Sequence, residues 1–273
     1  MKPQQIAINS VSTKHADITA AVEAYAAAGF TNVEFVIPQV KAYLAAQAGR
    51  TVDDVRALLD KNGMTCIGGF ETTVQCFGDA AARKANHALH VENAKLISAL
   101  GGGTIVAGTD GDEANDLDTL KTIGRTCAQL VGDFPRDVTL AIEFNWSPVV
   151  KSVRSAAVVV EAADHPQVGI LFDPAHYHCT PSQFEDLTPA VIERIAHVHV
   201  DDMRDKPGDR SDCNGDRVLP GEGVVGVRRL IEHLEAHGYD GYFSIEMFNA
   251  DLWAKPAPEA AKAMYQAMRS LCA

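Results

Sequence analysis

A net charge of −12 on a chain of 273 residues argues against a polyanionic partner, because phosphate recognition draws on clustered lysine and arginine and on counterion release. With 47% hydrophobic and 22% charged residues, the chain can bury a substantial core and lacks a disordered composition. No stretch reaches about eighteen uninterrupted apolar residues, and MKPQQIAINS has no apolar signal-peptide run, so a cytoplasmic protein without membrane or nucleic-acid partner is expected.

Short apolar runs then alternate with helical patterns along the chain. The first strand, QIAINS (5–10), leads into HADITAAVEAYAAAGF, whose helical spacing closes on Gly29. NVEFVI (32–37) precedes VDDVRALLDKNG, capped at Gly63, and TCIGGF (65–70) precedes AARKANHALHVENAKLISALGG, capped at Gly101. The next four strands are GTIVAG (103–108), VTLAIEF (138–144), VGILFD (168–173) and AHVHVD (196–201). VVGVRRLIEHLEAHGYDG, ending its helix at Gly238, separates these from the last strand, YFSIEMF (242–248). The six cysteines, Cys66, Cys76, Cys127, Cys179, Cys213 and Cys272, show no C-x-x-C spacing and read as reduced packing thiols.

Strands recurring roughly every thirty residues with helices between them predict parallel pairing through helical crossovers. Eight such units fit an α/β fold of the (β/α)8 TIM-barrel type, with residues 1–273 as a single domain. A doubly wound open sheet is the alternative, but INSVSTKHAD lacks the glycine-rich fingerprint that such a sheet carries after its first strand.

Within VTLAIE, Val138, Leu140 and Ile142 are large and branched, whereas Thr139, Ala141 and Glu143 are small or polar. A strand with helices outside and a narrow barrel inside has this alternation, which points Glu143 inward. Asp173 shares the parity of Gly169 and Leu171, His199 that of His197, and Glu246 that of Tyr242 and Ser244. All four lie at the C-terminal ends of four successive strands, the rim where barrels of this kind place their sites. Three converging carboxylates repel one another, and a divalent cation relieves that repulsion. An oxygen-rich set with one imidazole favours Mn2+, Mg2+ or Co2+ over structural Zn2+.

The segments EFN, DPAH, HVHVDD, LPGEG and GYDGYFSIE, in this order, resemble the xylose isomerase-like TIM-barrel superfamily, in its sugar isomerase/epimerase branch. That branch includes D-tagatose 3-epimerase, hydroxypyruvate isomerase and inosose dehydratase. The resemblance implies Glu143, Asp173, His199 and Glu246 as ligands of one divalent ion, Mn2+ first, with Mg2+, Co2+ or Zn2+ as alternatives. It further implies Glu143 and Glu246 as acid and base on opposite faces of the substrate, His176 as a substrate-binding group, and Arg204 or Arg210 as the substrate-binding arginine.

The expected activity is isomerisation or epimerisation of a small, unphosphorylated keto sugar through an enediolate, with a carbon–oxygen lyase on the same scaffold as the alternative. Asn145 and Glu34 are expected to reach substrate hydroxyls, and Trp146 and Trp253 to form a platform for a sugar ring or to pack the rim. His197 reads as a hydrogen-bonded interior residue; His178 and Cys179 stay undecided. The order Glu143, Phe144, Asn145, Trp146 departs from the E-x-x-N of ketose 3-epimerases and hydroxypyruvate isomerases. The polar run 204–217 is open to three readings: a lid, a subunit contact of a homo-oligomer, or a solvated excursion. A nuclease resembling endonuclease IV is disfavoured, because its D-x-H pair is here Asp212, Cys213, Asn214. A non-catalytic binding role is the third alternative.

Overall fold

The computed structural model describes residues 1–272. Eight parallel strands form a closed barrel: β1 (Ile6–Asn9), β2 (Asn32–Val36), β3 (Thr65–Phe70), β4 (Thr104–Ala107), β5 (Thr139–Glu143), β6 (Val168–Phe172), β7 (Ile195–Val200) and β8 (Phe243–Ile245). Each pairs with its sequence neighbours, and the eighth closes on the first with Ile6 opposite Phe243 and Ile8 opposite Ile245. The open-sheet alternative is thereby excluded.

All eight expected strands occur, several of them trimmed at their ends. Asp173 leaves the ladder because one of its oxygens caps the short helix Pro174–Cys179, and NVEFVI stops at Val36 because Pro38 starts the helix Ile37–Ala45. Proline is pre-organised for a first helical turn and lacks the N–H that a ladder would use. The helix Ile18–Ala28 ends as expected: Gly29 adopts φ 110°, and its N–H bonds to the Tyr25 carbonyl at 3.1 Å. A Cβ there would also lie 2.7 Å from the Tyr265 ring, so only glycine fits.

The alternation in β5 sorts two cores. Leu140 and Ile142 belong to the large apolar layer between strands and helices, whereas Ala141 joins Val106 and Leu171 in a small plug inside the barrel, flanked by Phe70 and Ala196. The plug occupies the side formed by β3 to β7. On the other side the interior is polar, with Glu34 from β2, His197 and His199 from β7 and Ser244 from β8 all buried. Aligned parallel strands hold these groups at matching depth; His199, for example, stands opposite Ser244.

Between β7 and β8 the polar run is anchored rather than loose. Asp202–Met203 pairs antiparallel with Arg217–Val218, making a ribbon at the base of the loop, and Lys206 Nζ bridges to Asp216 at 2.7 Å. The following LPGEG turn is tied to Asp202, whose carboxylate accepts the N–H groups of Gly221 at 3.1 Å and Val225 at 3.0 Å. Those two amides are therefore committed to a side chain. All six cysteines are free thiols, and among the described residues no helix is long and apolar enough to cross a membrane.

Candidate metal centre

Glu143 ends β5, Asp173 follows β6, His199 sits in β7 and Glu246 follows β8. Each offers one ligand atom, and the four atoms lie within 4.8 Å of one another, all buried. His199 Nδ1 is at the centre, 3.3 Å from Glu246 Oε2 and 3.8 Å from both Glu143 Oε1 and Asp173 Oδ2.

The two oxygens of Asp173 divide their roles. Oδ1 accepts the His176 N–H at 2.8 Å as a helix cap, whereas Oδ2 is buried with no hydrogen-bond partner. His199 Nδ1 is likewise buried and unpartnered. Buried polar atoms are nearly always satisfied, so two inward-facing ligand atoms without hydrogen bonds, beside two further carboxylates, fit a cation.

Arg217 is a basic group that meets two of these carboxylates, Asp173 and Glu246. It is fully buried, with Nη1 2.9 Å from Glu246 Oε2 and 2.5 Å from Asp201 Oδ2, and Nη2 3.1 Å from Asp173 Oδ2. The last contact is close in charge but misaligned for a hydrogen bond, since Nη2 has no hydrogen-bond partner. Arg204 and Arg210, the two arginines expected from the sequence, are exposed and do not line the cavity. The ribbon explains the displacement: Arg217 starts its return strand and points into the barrel, while Arg204 and Arg210 ride on the loop beyond it. Asp201, also missed, accepts the Ala175 N–H at 2.9 Å and shares Arg217.

Charge follows this geometry. Burial pushes the Glu143 carboxyl up, only partly offset by His176. Burial also opposes the Asp173 anion, yet Arg217 with the two imidazoles outweighs it and holds that carboxyl well below its usual range. For His199 burial disfavours the cation, but Glu246 and Glu34 reverse the balance and raise its pKa well above 6.5.

A cavity of about 340 Å³ opens over the cluster. Its polar lining includes Glu143, Glu246, His176, Asn145 and Arg217; its apolar lining is Phe70, Val106, Trp146 and Phe248, and Cys213 and Asn214 reach it from the 204–217 loop. Phe70 and Trp146 meet edge to face at 5.9 Å. His176 places Nε2 3.2 Å from Glu143 Oε1, and Asn145 Nδ2 lies 3.0 Å from His176 Nδ1. Asn145 adopts φ 69°, a left-handed conformation that turns the chain sharply after β5.

Trp253, His178 and Glu34 make their contacts outside the cavity. Trp253 donates to the Val11 carbonyl at 3.0 Å and carries Lys14 over its ring, so it packs the rim outside the cavity. His178 bonds the Lys206 carbonyl at 3.0 Å. Glu34 has no solvent exposure and does not line the cavity; it meets His197 and His199 instead.

Comparison with known proteins places this geometry in context. An inosose isomerase of Halalkalibacterium halodurans is 32% identical over 148 residues, covering 51% of this chain and 52% of the relative. An inosose dehydratase of Geobacillus thermodenitrificans is 28% identical over 166 residues, covering 57% and 53%. The chain thus matches about half the length of these curated relatives. A crystal structure of the IOLI protein with a binding zinc atom superposes with a TM-score of 0.87 at 20% identity, covering 98% of this chain and 97% of that one, a likeness of fold. The family model of the xylose isomerase-like TIM barrel matches residues 22–271, so nearly the whole barrel with its rim of carboxylates is spanned: the chain belongs to the xylose isomerase-like TIM barrel family.

Proposed function

We propose that this protein is a divalent-metal-dependent isomerase or epimerase of a small polyhydroxy ketone. The observation that carries the reading is the pair of glutamates, Glu143 and Glu246, which both line the cavity and lie 3.8 Å and 3.3 Å from the bare Nδ1 of His199. A divalent ion held by Glu143, Asp173, His199 and Glu246, with Mn2+ suited to three oxygens and one nitrogen, would supply Lewis-acid polarisation of a carbonyl and its neighbouring hydroxyl.

The protein's own groups then divide the work. One glutamate removes the proton next to the carbonyl and the other returns one to the opposite face. His176 and Arg217 donate toward substrate oxygens where negative charge grows, each such preorganised donor being worth about 3 kcal/mol of barrier. Phe70, Val106, Trp146 and Phe248 exclude water from the enediolate and give a compact sugar or cyclitol an apolar wall. The inosose isomerase among the relatives supports a carbohydrate ketone as substrate class.

The second reading is dehydration, favoured by the inosose dehydratase relative. The proton abstraction is shared, and the second acid then protonates a leaving β-hydroxyl instead of carbon. Incubating the Mn2+-loaded protein with keto sugars and a keto-inositol in D2O tests both. Exchange of the α-proton with a new sugar and no loss of water supports the isomerase; an enone supports the lyase; neither, across the panel, would count against both.

A further inference from the structure

Among the described residues, Glu34 is the one buried carboxylate near the centre that neither faces the cavity nor meets Arg217. It comes from β2, across the barrel from β7, yet its Oε2 lies 3.1 Å from the Nε2 of both His197 and His199, and Ser244 Oγ donates to it at 2.8 Å. Its Oε1 lies 3.2 Å from His199 Nε2.

This group is chemically unlike the cluster above it. Every polar atom of the Glu34 network named here has a partner, whereas His199 Nδ1 and Asp173 Oδ2 have none. A closed hydrogen-bond network needs no cation. A carboxylate also offers only acceptors, so each imidazole that meets it must present Nε2 as an N–H. In neutral His199 the lone pair then falls on Nδ1, the atom aimed at Glu143, Asp173 and Glu246.

We propose that Glu34 is a positioning residue of the metal centre: by accepting the Nε2–H of His199 it fixes the ring's orientation and directs Nδ1, rather than Nε2, at a divalent cation. Imidazole ligands are commonly held in this way by an outer carboxylate, which sets the tautomer and raises the basicity of the ligating nitrogen. Ser244 holds the carboxylate in place from β8, and His197 meets the same oxygen. The inference rests on the metal reading given above, and its test separates the two.

The test titrates the metal-free protein with Co2+, followed by visible absorption, and records imidazole N–H signals by NMR before metal is added. The unsubstituted protein should bind one equivalent and show a protected Nε2–H from His199. Glu34→Gln, whose amide can turn a donor toward Nε2, should lose that signal and bind Co2+ about 10–100-fold more weakly. His197→Gln, which removes one donor to Glu34 but leaves Glu34 on His199, should weaken binding far less than Glu34→Gln, and an equal loss would overturn the proposal. Where Glu34→Gln fails to fold, Glu34→Asp, which keeps the charge but withdraws the acceptor, should weaken binding in the same direction. Unchanged affinity and spectrum in the Glu34 variant would overturn the proposal and leave the metal reading standing. An unsubstituted protein that binds no Co2+ but shows the Nε2–H signal, lost in Glu34→Gln, would end the metal reading and uphold the hold of Glu34 on the ring.

Discussion

The guanidinium of Arg217 reaches Glu246 twice, through Nη1 to the carboxylate at 2.9 Å and to the main-chain carbonyl at 3.0 Å, with no exposure to solvent. Asp173 and Asp201 share the same cation. Arg217 therefore offsets the mutual repulsion of buried carboxylates while also lining the cavity, and its removal should be felt in both roles.

Arg217→Met is expected to destabilise the metal-free protein by about 3–5 kcal/mol, because uncompensated buried charge is left behind. Mn2+ at saturating concentration should restore part of the loss by binding only the folded state. Urea unfolding with and without Mn2+ measures this; a variant as stable as the parent without metal would mean that Arg217 does not carry the charge balance.

Glu143→Gln and Glu246→Gln should each lower α-proton exchange by about 10²–10⁴-fold. The amides keep the shape of the side chains but cannot take a proton from carbon. Exchange measured by loss of the proton signal in D2O is the check, and near-normal rates in either variant would remove that glutamate from the acid–base pair.

How much of this was legible beforehand differs from residue to residue. Glu143, Asp173, His199 and Glu246 could be grouped because a strand has a period of two, and each residue falls on the inward parity at the end of its strand. Arg217 could not be located, since a two-residue ribbon hidden in a polar run decides which arginine turns inward, and no periodicity marks so short a pairing. Glu34 had the right parity, but its partner His199 lies 165 residues away, and only closure of the barrel brings β2 across from β7. The sequence places Ile37 in the second strand, because it continues an apolar run, and leaves 38–45 unassigned, whereas Ile37 in fact opens the helix Ile37–Ala45.

The two cores should respond differently to substitution. Ile142 is fully buried in the layer between strands and helices. Ile142→Ala is expected to cost about 2–5 kcal/mol of stability while leaving metal stoichiometry unchanged, since the side chain points away from the site. Denaturant unfolding and metal analysis of the folded variant check the two halves; a loss of metal in the folded protein would contradict the assigned direction of the strand.

Stability should also depend on pH through His90. The ring is 1% exposed, with Nε2 3.2 Å from the Thr73 carbonyl and Nδ1 unpartnered. Burial holds its pKa below 6.5, against the opposing pull of that carbonyl. The unfolded chain then binds more protons than the folded one between the two pKa values, so the contribution is complete above about pH 6.5 and is lost as pH falls toward the folded value. His90→Gln should flatten the fall of the unfolding midpoint between about pH 7.5 and 5. An unchanged slope would show that other groups set it.

The most direct measurement for the account as a whole is anomalous scattering from crystals of the protein soaked in Mn2+. One strong peak is expected, bounded by His199 Nδ1 and the carboxylates of Glu143, Asp173 and Glu246. No peak there under saturating Mn2+, or a peak only at a different set of side chains, would contradict it.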